Sequence, residues 1–112
     1  MKVVVRAPAK INLQLSVGPL GDDGFHELAT VFQAISIFDD VTVKIAEPGS
    51  GINLTVSGDQ IHGVPTDASN LVVEAAQLIA STFEIEIDAH IEIKKSIPVA
   101  GGMAGGSADA AA

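Results

Sequence analysis

The residues with the clearest chemical meaning form a glycine-rich segment near the end of the chain. Residues 98–107 read Pro-Val-Ala-Gly-Gly-Met-Ala-Gly-Gly-Ser, with four glycines within six positions. Glycine lets a backbone turn tightly and bring its N–H groups close to a ligand with no side chain in between. We call residues 98–107 the glycine loop. Its spacing is neither that of the P-loop nor that of the dinucleotide-binding fingerprint.

A strand pattern precedes the glycine loop, and an alanine-rich stretch that favours a helix follows it. The start of a helix has unpaired amides and the positive end of a dipole, so this segment suits an anion, above all a phosphate. The glycines at 101, 102, 105 and 106, with Pro98 and Ala104, are therefore candidate phosphate contacts. The alternative is a flexible turn between strand and helix.

Two residues near the start of the chain share one face of a predicted strand. Lys10 and Asn12 alternate with Ile11 and Leu13, so their side chains point to the same side. An ammonium and an amide together could bind a hydroxyl or a phosphate. An ordinary solvated face is the competing interpretation.

Phe25 and His26 follow a turn rich in glycine and aspartate. The phenyl ring could stack on a planar base, and the imidazole could hydrogen-bond the edge of that base. A surface histidine after a turn is the plainer alternative. The two aspartates at 22 and 23 lack the rest of a calcium-binding loop, so a metal site there is rejected.

Lys95 and Ser107 flank the glycines. Lys95 could offset phosphate charge, although Lys94 could equally be the inward lysine. The hydroxyl of Ser107 could cap the following helix, ligate Mg²⁺ or contact a phosphate.

Composition limits the class of protein. A net charge of −8 with only six basic residues argues against nucleic acid as a partner. The chain has no cysteine, which excludes disulfides and thiolate metal sites. No apolar run reaches the length of a membrane span or a signal sequence, so a cytoplasmic location with no membrane partner is expected. A chain of 112 residues suits one domain, and we expect it to be the front portion of a longer protein because it stops within a helical pattern.

Apolar periodicity predicts the elements that position these residues. Val41 to Ile45 and Ile52 to Val56 flank a Pro-Gly-Ser-Gly turn, which predicts a hairpin. A helix predicted over 71–83 is expected to be capped by Thr66, Asp67 or Ser69. The predicted fold is α+β with a largely antiparallel sheet and helices on one side. Strands are predicted at 3–5, at 11–17 after an interruption by Pro8, at 26–37 (where a helix also fits), at 41–45, at 52–56 and from about 89, with a helix over 71–83.

Five segments in this order resemble one family. They are Pro-Ala-Lys-Ile-Asn-Leu at 8–13, Asp-Gly-Phe-His-Glu-Leu at 23–28, Thr-Val-Phe-Gln at 30–33, Ser-Asn-Leu-Val at 69–72, and Lys-Ser-Ile-Pro at 95–98 running through Ala112. Together they resemble the 4-diphosphocytidyl-2-C-methyl-D-erythritol kinases of the GHMP small-molecule kinase superfamily. The glycine loop by itself indicates only the superfamily.

The resemblance implies a reaction and a fold. ATP would phosphorylate the 2-hydroxyl of 4-diphosphocytidyl-2-C-methyl-D-erythritol in non-mevalonate isoprenoid biosynthesis. Residues 1–112 would be an incomplete N-terminal domain of the ribosomal S5 domain 2 type. The catalytic aspartate and a C-terminal domain would lie beyond Ala112, so this segment alone is expected to be inactive.

The resemblance also implies roles for individual residues. Lys10 would be catalytic, beside Asn12 near the accepting hydroxyl, while Phe25 and His26 would hold the cytosine. Phe25 stands where many members have Tyr, and Ala108 replaces a second Ser. The implied contacts to ATP are Asn70, Lys95, Pro98, Gly101, Gly102, Ala104, Gly105, Gly106 and Ser107, with Mg²⁺ as a cofactor and Ser107 as its possible ligand.

Three alternatives remain open. The first is another GHMP kinase, acting on homoserine, mevalonate or phosphomevalonate, whose substrates carry no cytosine for Phe25 to stack on. The second is an RNA-binding module of the same fold, against which the net charge argues. The third is a nucleotide-binding regulatory domain without catalysis. The oligomeric state has no sequence signal.

Overall fold

Residues 1–112 are all described by the computed structural model, which has four strands and two helices. The predicted α+β class is confirmed, and the helix over 71–83 and the strand from 89 are found where they were expected. The segment 26–37 is a strand, as predicted, but it continues through 41–45 as one strand where the sequence predicted two. The elements are β1 (Lys2–Leu20), β2 (His26–Ile45), β3 (Ile52–Gly58), α1 (Leu71–Phe83), β4 (Ala89–Lys95) and α2 (Gly105–Ala111).

The four strands form one mixed sheet in the order β1-β2-β4-β3. The pairs β1–β2 and β2–β4 are antiparallel, whereas β3 and β4 run parallel. The predicted hairpin between β2 and β3 is therefore wrong. These strands flank the turn at 48–51 but do not pair, because β4 lies between them.

The start of β4 is held between the two ends of that turn. The amide of Ala46 donates to the carbonyl of Asp88 at 3.0 Å, and the amide of Ala89 donates to the carbonyl of Gly51 at 3.0 Å. The pattern around the turn carried no sign of this insertion, since a local turn signal says nothing about a strand that arrives later in the chain. Parallel pairing of β3 with β4 needs a crossover, which α1 supplies.

β1 is one strand where the sequence predicted two. Pro8 cannot donate to the ladder, and the register shifts between Pro8 and Lys10 and again between Asn12 and Gln14. Proline is tolerated at such irregularities, which bend the strand without ending it. Pro8 therefore interrupts the pairing register of β1 and leaves its extended course intact.

The core lies between one face of the sheet and the two helices. Val41, Ile91 and Ile93 point from β2 and β4 towards Val72 of α1, and Ala110 of α2 packs against the same cluster. Both helices therefore cover the same face, as predicted. Burial of these side chains is the main favourable term that holds the helices to the sheet.

The beginning of α1 is capped by Asn70, so the predicted caps Thr66, Asp67 and Ser69 are wrong. The Asn70 side chain accepts from the amide of Val72 at 3.0 Å and donates to the carbonyl of Pro65 at 2.8 Å. Asn70 can do both because its amide group is acceptor and donor at once. Asp67 instead accepts from the amide and the hydroxyl of Ser69 one turn earlier.

The end of β1 and the start of β2, on either side of the turn at 21–25, extend beyond the helices. We call this half of the β1–β2 hairpin the arm. Its apolar side chains are exposed, for example Leu13 at 61% and Phe32 at 62%. No helix of the chain is both long and apolar enough to cross a membrane. The arm ends in the turn that carries Phe25.

Candidate phosphate-binding site

A cleft of about 400 Å³ lies beside the glycine loop. One wall is the loop itself, and the opposite wall is the chain before and at the start of α1. Its lining consists of residues 63–65, 69–71 and 98–107, together with Ile93, Lys95 and Asp109.

The backbone of the glycine loop is bent and rich in free donors. Ala100 and Ala104 both have φ of 57°, and Gly102 has φ of 72°, which is a left-handed conformation that alanine rarely adopts. None of the amides of residues 99–104 donates to another backbone group of the chain. Unpaired amides on a glycine-rich backbone are the donor set that binds phosphate oxygens.

Lys10 lies against this loop. Its amide donates to the carbonyl of Met103 at 3.2 Å, so β1 and the glycine loop are joined through the backbone. Its ammonium donates to the side-chain oxygen of Asn12 at 2.7 Å and sits 5.2 Å from the centre of the Phe32 ring. The predicted shared face of Lys10 and Asn12 is thus found, next to the predicted phosphate site.

Asn12 is oriented by a second hydrogen bond. Its amide nitrogen donates to the hydroxyl of Thr30 at 2.7 Å, and that hydroxyl donates to the carbonyl of Gln14 at 2.7 Å. The chain of bonds fixes which atom of the Asn12 amide faces Lys10. The pair therefore presents a fixed cationic and polar surface on the β1–β2 hairpin.

Phe25 and His26 lie at the end of the arm, away from the glycine loop. Phe25 is 74% exposed, and the Nδ1 atom of His26 lies 2.8 Å from the carbonyl oxygen of Gly18. Neither residue lines the cleft at the loop. Lys10 and Asn12 do not line that cleft either. Lys10 contacts the glycine loop through its backbone amide, and Phe25 and His26 lie together at a separate position.

Lys95 is the inward lysine, and Lys94 is exposed. The ammonium of Lys95 is buried between two carboxylates, with Asp39 Oδ2 at 2.5 Å and Asp109 Oδ2 at 2.9 Å. Asp39 Oδ1 in turn accepts from the amides of Ser96 at 2.6 Å and Ile97 at 2.8 Å. Only Oδ1 of Asp109 has no partner.

These three charges titrate differently. Burial opposes the ionised form of Asp39, but the Lys95 ammonium and the two amides outweigh it, so the pKa of Asp39 is lowered. Burial also opposes the charged form of Lys95, yet the two carboxylates raise its pKa. For Asp109 burial dominates over the attraction of Lys95 and raises the pKa to about 6. Asp39 is therefore the ionised partner of Lys95, and Asp109 is the weaker acid of the two carboxylic acids.

The remaining predicted contacts also surround the cleft. Asn70 and Pro98 line it, although both polar atoms of the Asn70 side chain already hold the start of α1. α2 begins at Gly105, two residues earlier than expected, with Ala104 as its N-cap and no side-chain cap. The capping role considered for Ser107 is therefore wrong, and its hydroxyl is exposed at the cleft.

Asp39 and Asp109 were not singled out from the sequence. The signal for Asp39 is its parity, because it alternates in step with Val41 on the buried face of β2, as Lys95 does with Ile93 on β4. Two opposite charges on buried faces predict a pair. Asp109 carries no comparable signal, since it follows a loop whose path the sequence does not define.

Comparison with known proteins agrees with this geometry. The model of the GHMP kinase N-terminal domain matches residues 70–112, the segment that holds α1, β4 and the glycine loop. A crystal structure of a homoserine kinase from Cytophaga hutchinsonii has the same fold, with a TM-score of 0.70 over 97% of this chain and 32% of that chain at 23% identity. Residues 70–112 belong to the GHMP kinase N-terminal domain family, and the chain as a whole has the fold of a protein of that superfamily.

Within the superfamily, the sequence is similar to one group of kinases. It is 58% identical over 110 residues to the 4-diphosphocytidyl-2-C-methyl-D-erythritol kinase of Rhodococcus jostii, covering 98% of this chain and 34% of that protein. The protein of the same name from Kineococcus radiotolerans is 52% identical over 111 residues, with 98% and 34% covered. A crystal structure of 4-(cytidine 5'-diphospho)-2C-methyl-D-erythritol kinase superposes with a TM-score of 0.71 at 33% identity, over 97% of this chain and 37% of that chain. The chain thus spans about a third of the length of the curated relatives that it matches.

Proposed function

We propose that the protein is an ATP-dependent kinase that phosphorylates the 2-hydroxyl of 4-diphosphocytidyl-2-C-methyl-D-erythritol, a step of non-mevalonate isoprenoid biosynthesis in the cytoplasm. The observation that carries the proposal is the hydrogen bond between the Lys10 amide and the Met103 carbonyl. It puts the backbone of Lys10, whose ammonium pairs with Asn12, against a loop of unpaired amides. Phosphoryl transfer requires this kind of positioning and charge neutralisation more than covalent chemistry.

In this proposal the glycine loop holds the triphosphate of ATP. The amides of residues 99–104 are free of backbone partners and would donate to phosphate oxygens. Ser107, exposed at the cleft, would add a hydroxyl. Donors fixed in place before the reaction stabilise developing negative charge without having to reorient.

Lys10 would lie between the accepting alcohol and the transferred phosphoryl group. Its ammonium makes no ion pair with a carboxylate of the chain, so its charge is available to an anionic ligand. Asn12 would orient the alcohol. Phe25 would stack on the cytosine and His26 would hydrogen-bond it, at the end of the arm.

Mg²⁺ fits this site only when it is bound together with the phosphates of ATP. The chain has no cluster of three or more carboxylate, histidine or cysteine side chains that could hold a metal ion, while the Ser107 hydroxyl lines the cleft. Mg²⁺ commonly binds through substrate phosphates, water and one or two protein ligands. When bound, it would neutralise phosphate charge.

The general base and the closing wall of the cleft are proposed to lie outside these residues. No carboxylate of the chain contacts the Lys10 ammonium, and the curated relatives are about three times as long as the segment that they share with it. We propose that 1–112 is the N-terminal domain of a two-domain kinase. Turnover would then require the intact protein.

A coupled assay of ADP release from the intact protein tests the proposal. We expect ATP-dependent phosphorylation of the cytidyl substrate and none of homoserine, mevalonate or phosphomevalonate. Phe25→Ala should raise KM for the cytidyl substrate at least about fivefold, since base stacking is worth about 1–3 kcal/mol. Phe25→Tyr keeps the ring and serves as the matched control, with KM within about twofold.

Two results would overturn the assignment. Activity with mevalonate or homoserine and none with the cytidyl substrate would assign the site to another GHMP kinase. Tight, salt-sensitive RNA binding in a filter assay, without ATP-dependent transfer, would instead assign an RNA-binding module.

A further inference from the structure

The β1–β2 hairpin contains one extra residue, Leu13, on the β1 side. Asn12 lies opposite Phe32 and Gln14 lies opposite Val31, so β1 advances two residues where β2 advances one. Such a β-bulge bends its strand locally. It also shifts the alternation of side chains by one position, so residues after the bulge change faces relative to those before it.

The bulge redirects the side chain of Gln14. Side chains alternate along a regular strand, so without the bulge Gln14 would share the face of Lys10 and Asn12. Beyond the bulge it lies on the other face, where its amide donates to the hydroxyl of Ser16 at 2.7 Å. The backbone carbonyl of Gln14 lies beside Thr30 of β2 and accepts from its hydroxyl at 2.7 Å.

That bond sets the direction of the Thr30 hydroxyl. A carbonyl can only accept, so the hydroxyl donates to Gln14 and keeps its lone pairs for another group. The amide nitrogen of Asn12 donates to it at 2.7 Å. The side-chain oxygen of Asn12 is then the atom that accepts from the Lys10 ammonium, at 2.7 Å. Every hydrogen bond from the bulge to the ammonium therefore has one direction.

Few other contacts hold the Lys10 ammonium. It makes no ion pair with a carboxylate of the chain, and its other neighbour is the ring of Phe32, 5.2 Å away. A lysine side chain is long and flexible, so an ammonium without a directional partner samples many positions. Asn12 supplies that directional contact, and Thr30 holds Asn12.

We propose that Thr30 is a positioning residue for phosphoryl transfer, whose hydroxyl orients the Asn12 amide and, through it, the Lys10 ammonium for the accepting alcohol. This rests on the proposed function, in which Lys10 and Asn12 lie beside that alcohol. Thr30 acts through Asn12 and touches no reacting atom. Groups fixed before the reaction stabilise the transition state without reorienting, so loosening this pair lowers kcat and leaves the binding of ATP unchanged.

Thr30→Val in the intact protein tests the proposal, because valine keeps the branched shape that strands favour and removes the hydroxyl. We expect kcat with the cytidyl substrate to fall about tenfold and KM for ATP to stay within about twofold, since the unpaired Asn12 amide no longer holds Lys10. Thr30→Ser keeps the hydroxyl and should retain at least about half of kcat. Thr42→Val makes the same chemical change elsewhere on β2, opposite Val4, and is the matched control with unchanged kcat.

A double-mutant cycle separates positioning from general damage to the hairpin. In an Asn12→Ala background, Thr30→Val should change kcat by less than about twofold, because the group through which Thr30 acts is absent. A further loss of about tenfold in that background would show that the hydroxyl supports only the bulge, and would overturn the positioning role. Equal kcat in Thr30→Val and wild type would overturn it as well.

A second measurement does not depend on activity. The side-chain amide resonance of Asn12, assigned by its loss in Asn12→Ala, should shift in Thr30→Val and move far less in Thr30→Ser. An unchanged resonance in Thr30→Val would overturn the positioning role and leave the kinase assignment intact. Wild-type protein that transfers no phosphoryl group to the cytidyl substrate would overturn the proposed function instead, and the resonance would still decide whether Thr30 holds Asn12.

Discussion

Lys10 and Met103 are joined by a backbone hydrogen bond of 3.2 Å, although they lie at opposite ends of the chain. Met103 sits within the glycine loop, and Lys10 follows the register shift at Pro8 in β1. The irregular strand and the bent loop therefore meet through the backbone, while the Lys10 ammonium is held by Asn12 and the face of the Phe32 ring.

We expect Lys10→Gln to abolish catalysis without unfolding the protein. The Lys10 side chain is half-buried and contacts only Asn12 and the face of Phe32, so its loss should cost about 1 kcal/mol or less. Loss of a positioned cation should lower kcat by at least about 100-fold. Steady-state kinetics with urea denaturation separates the two effects. Lys94→Gln, on an exposed position of β4, is the control, and equal kinetic losses in both variants would contradict a specific role for Lys10.

We expect Asp39→Asn to be far more destabilising than the neighbouring Asp40→Asn. Asp39 is fully buried and accepts from Lys95 and two amides, so removing its charge leaves Lys95 without its firm partner and should cost about 3–5 kcal/mol. Asp40 pairs with an exposed Arg6, and such surface pairs are worth about 0–1 kcal/mol. Chemical denaturation measures both, and similar losses would show that the buried pair of Asp39 and Lys95 contributes little to stability.

We expect the stability of Asp109→Asn relative to wild type to increase with pH. Because the pKa of Asp109 is raised to about 6 in the folded chain, folding binds its proton more tightly than the unfolded chain does. Its contribution is then complete below about pH 4 and is lost as pH rises through 6. The variant should gain on the order of 1–3 kcal/mol over wild type between pH 4 and pH 7 in urea unfolding. A difference that is constant with pH would contradict the raised pKa.

We expect Gly58→Ala to unfold the protein or to destabilise it by about 4 kcal/mol or more. Gly58 has φ of 102°, and an added Cβ would lie 2.3 Å from the backbone oxygen of Lys95, so neither strand could keep its place. Gly49 also has a positive φ, of 84°, but open space around it. Gly49→Ala should therefore cost only about 1–2 kcal/mol of backbone strain. Thermal melts of the two variants separate the cost of backbone strain, present in both, from the cost of steric overlap with Lys95, present only in Gly58→Ala. Equal melting temperatures would refute the close approach of β3 to β4.

Periodicity predicted local elements well and long-range neighbours poorly. The helix over 71–83 and the strand from 89 were correct because each depends on the spacing of its own apolar residues. The hairpin between β2 and β3 was wrong because the place of β4 between them depends on the burial of Ile91 and Ile93 against both helices. No window around the turn at 48–51 contains that information.

The parts of the candidate site that depend on residue type and spacing were predictable from the sequence. The parts that depend on contacts between distant residues were not. The glycine loop and the face shared by Lys10 and Asn12 follow from residue types and strand parity. The function of Lys95 did not, since a lysine before a phosphate loop resembles an anion contact until its two buried carboxylates are seen. The parity of Asp39 with Val41 was the available clue.

The place of β4 in the sheet has a consequence for the folding of the chain during its synthesis on the ribosome. The sheet order puts a strand that ends at Lys95 between two strands that end at Ile45 and Gly58. While the ribosome is still making α1, β2 and β3 each expose an unpaired edge, and such edges are templates for pairing with other chains. The nascent chain should therefore depend on chaperone protection until Lys95 has emerged from the exit tunnel.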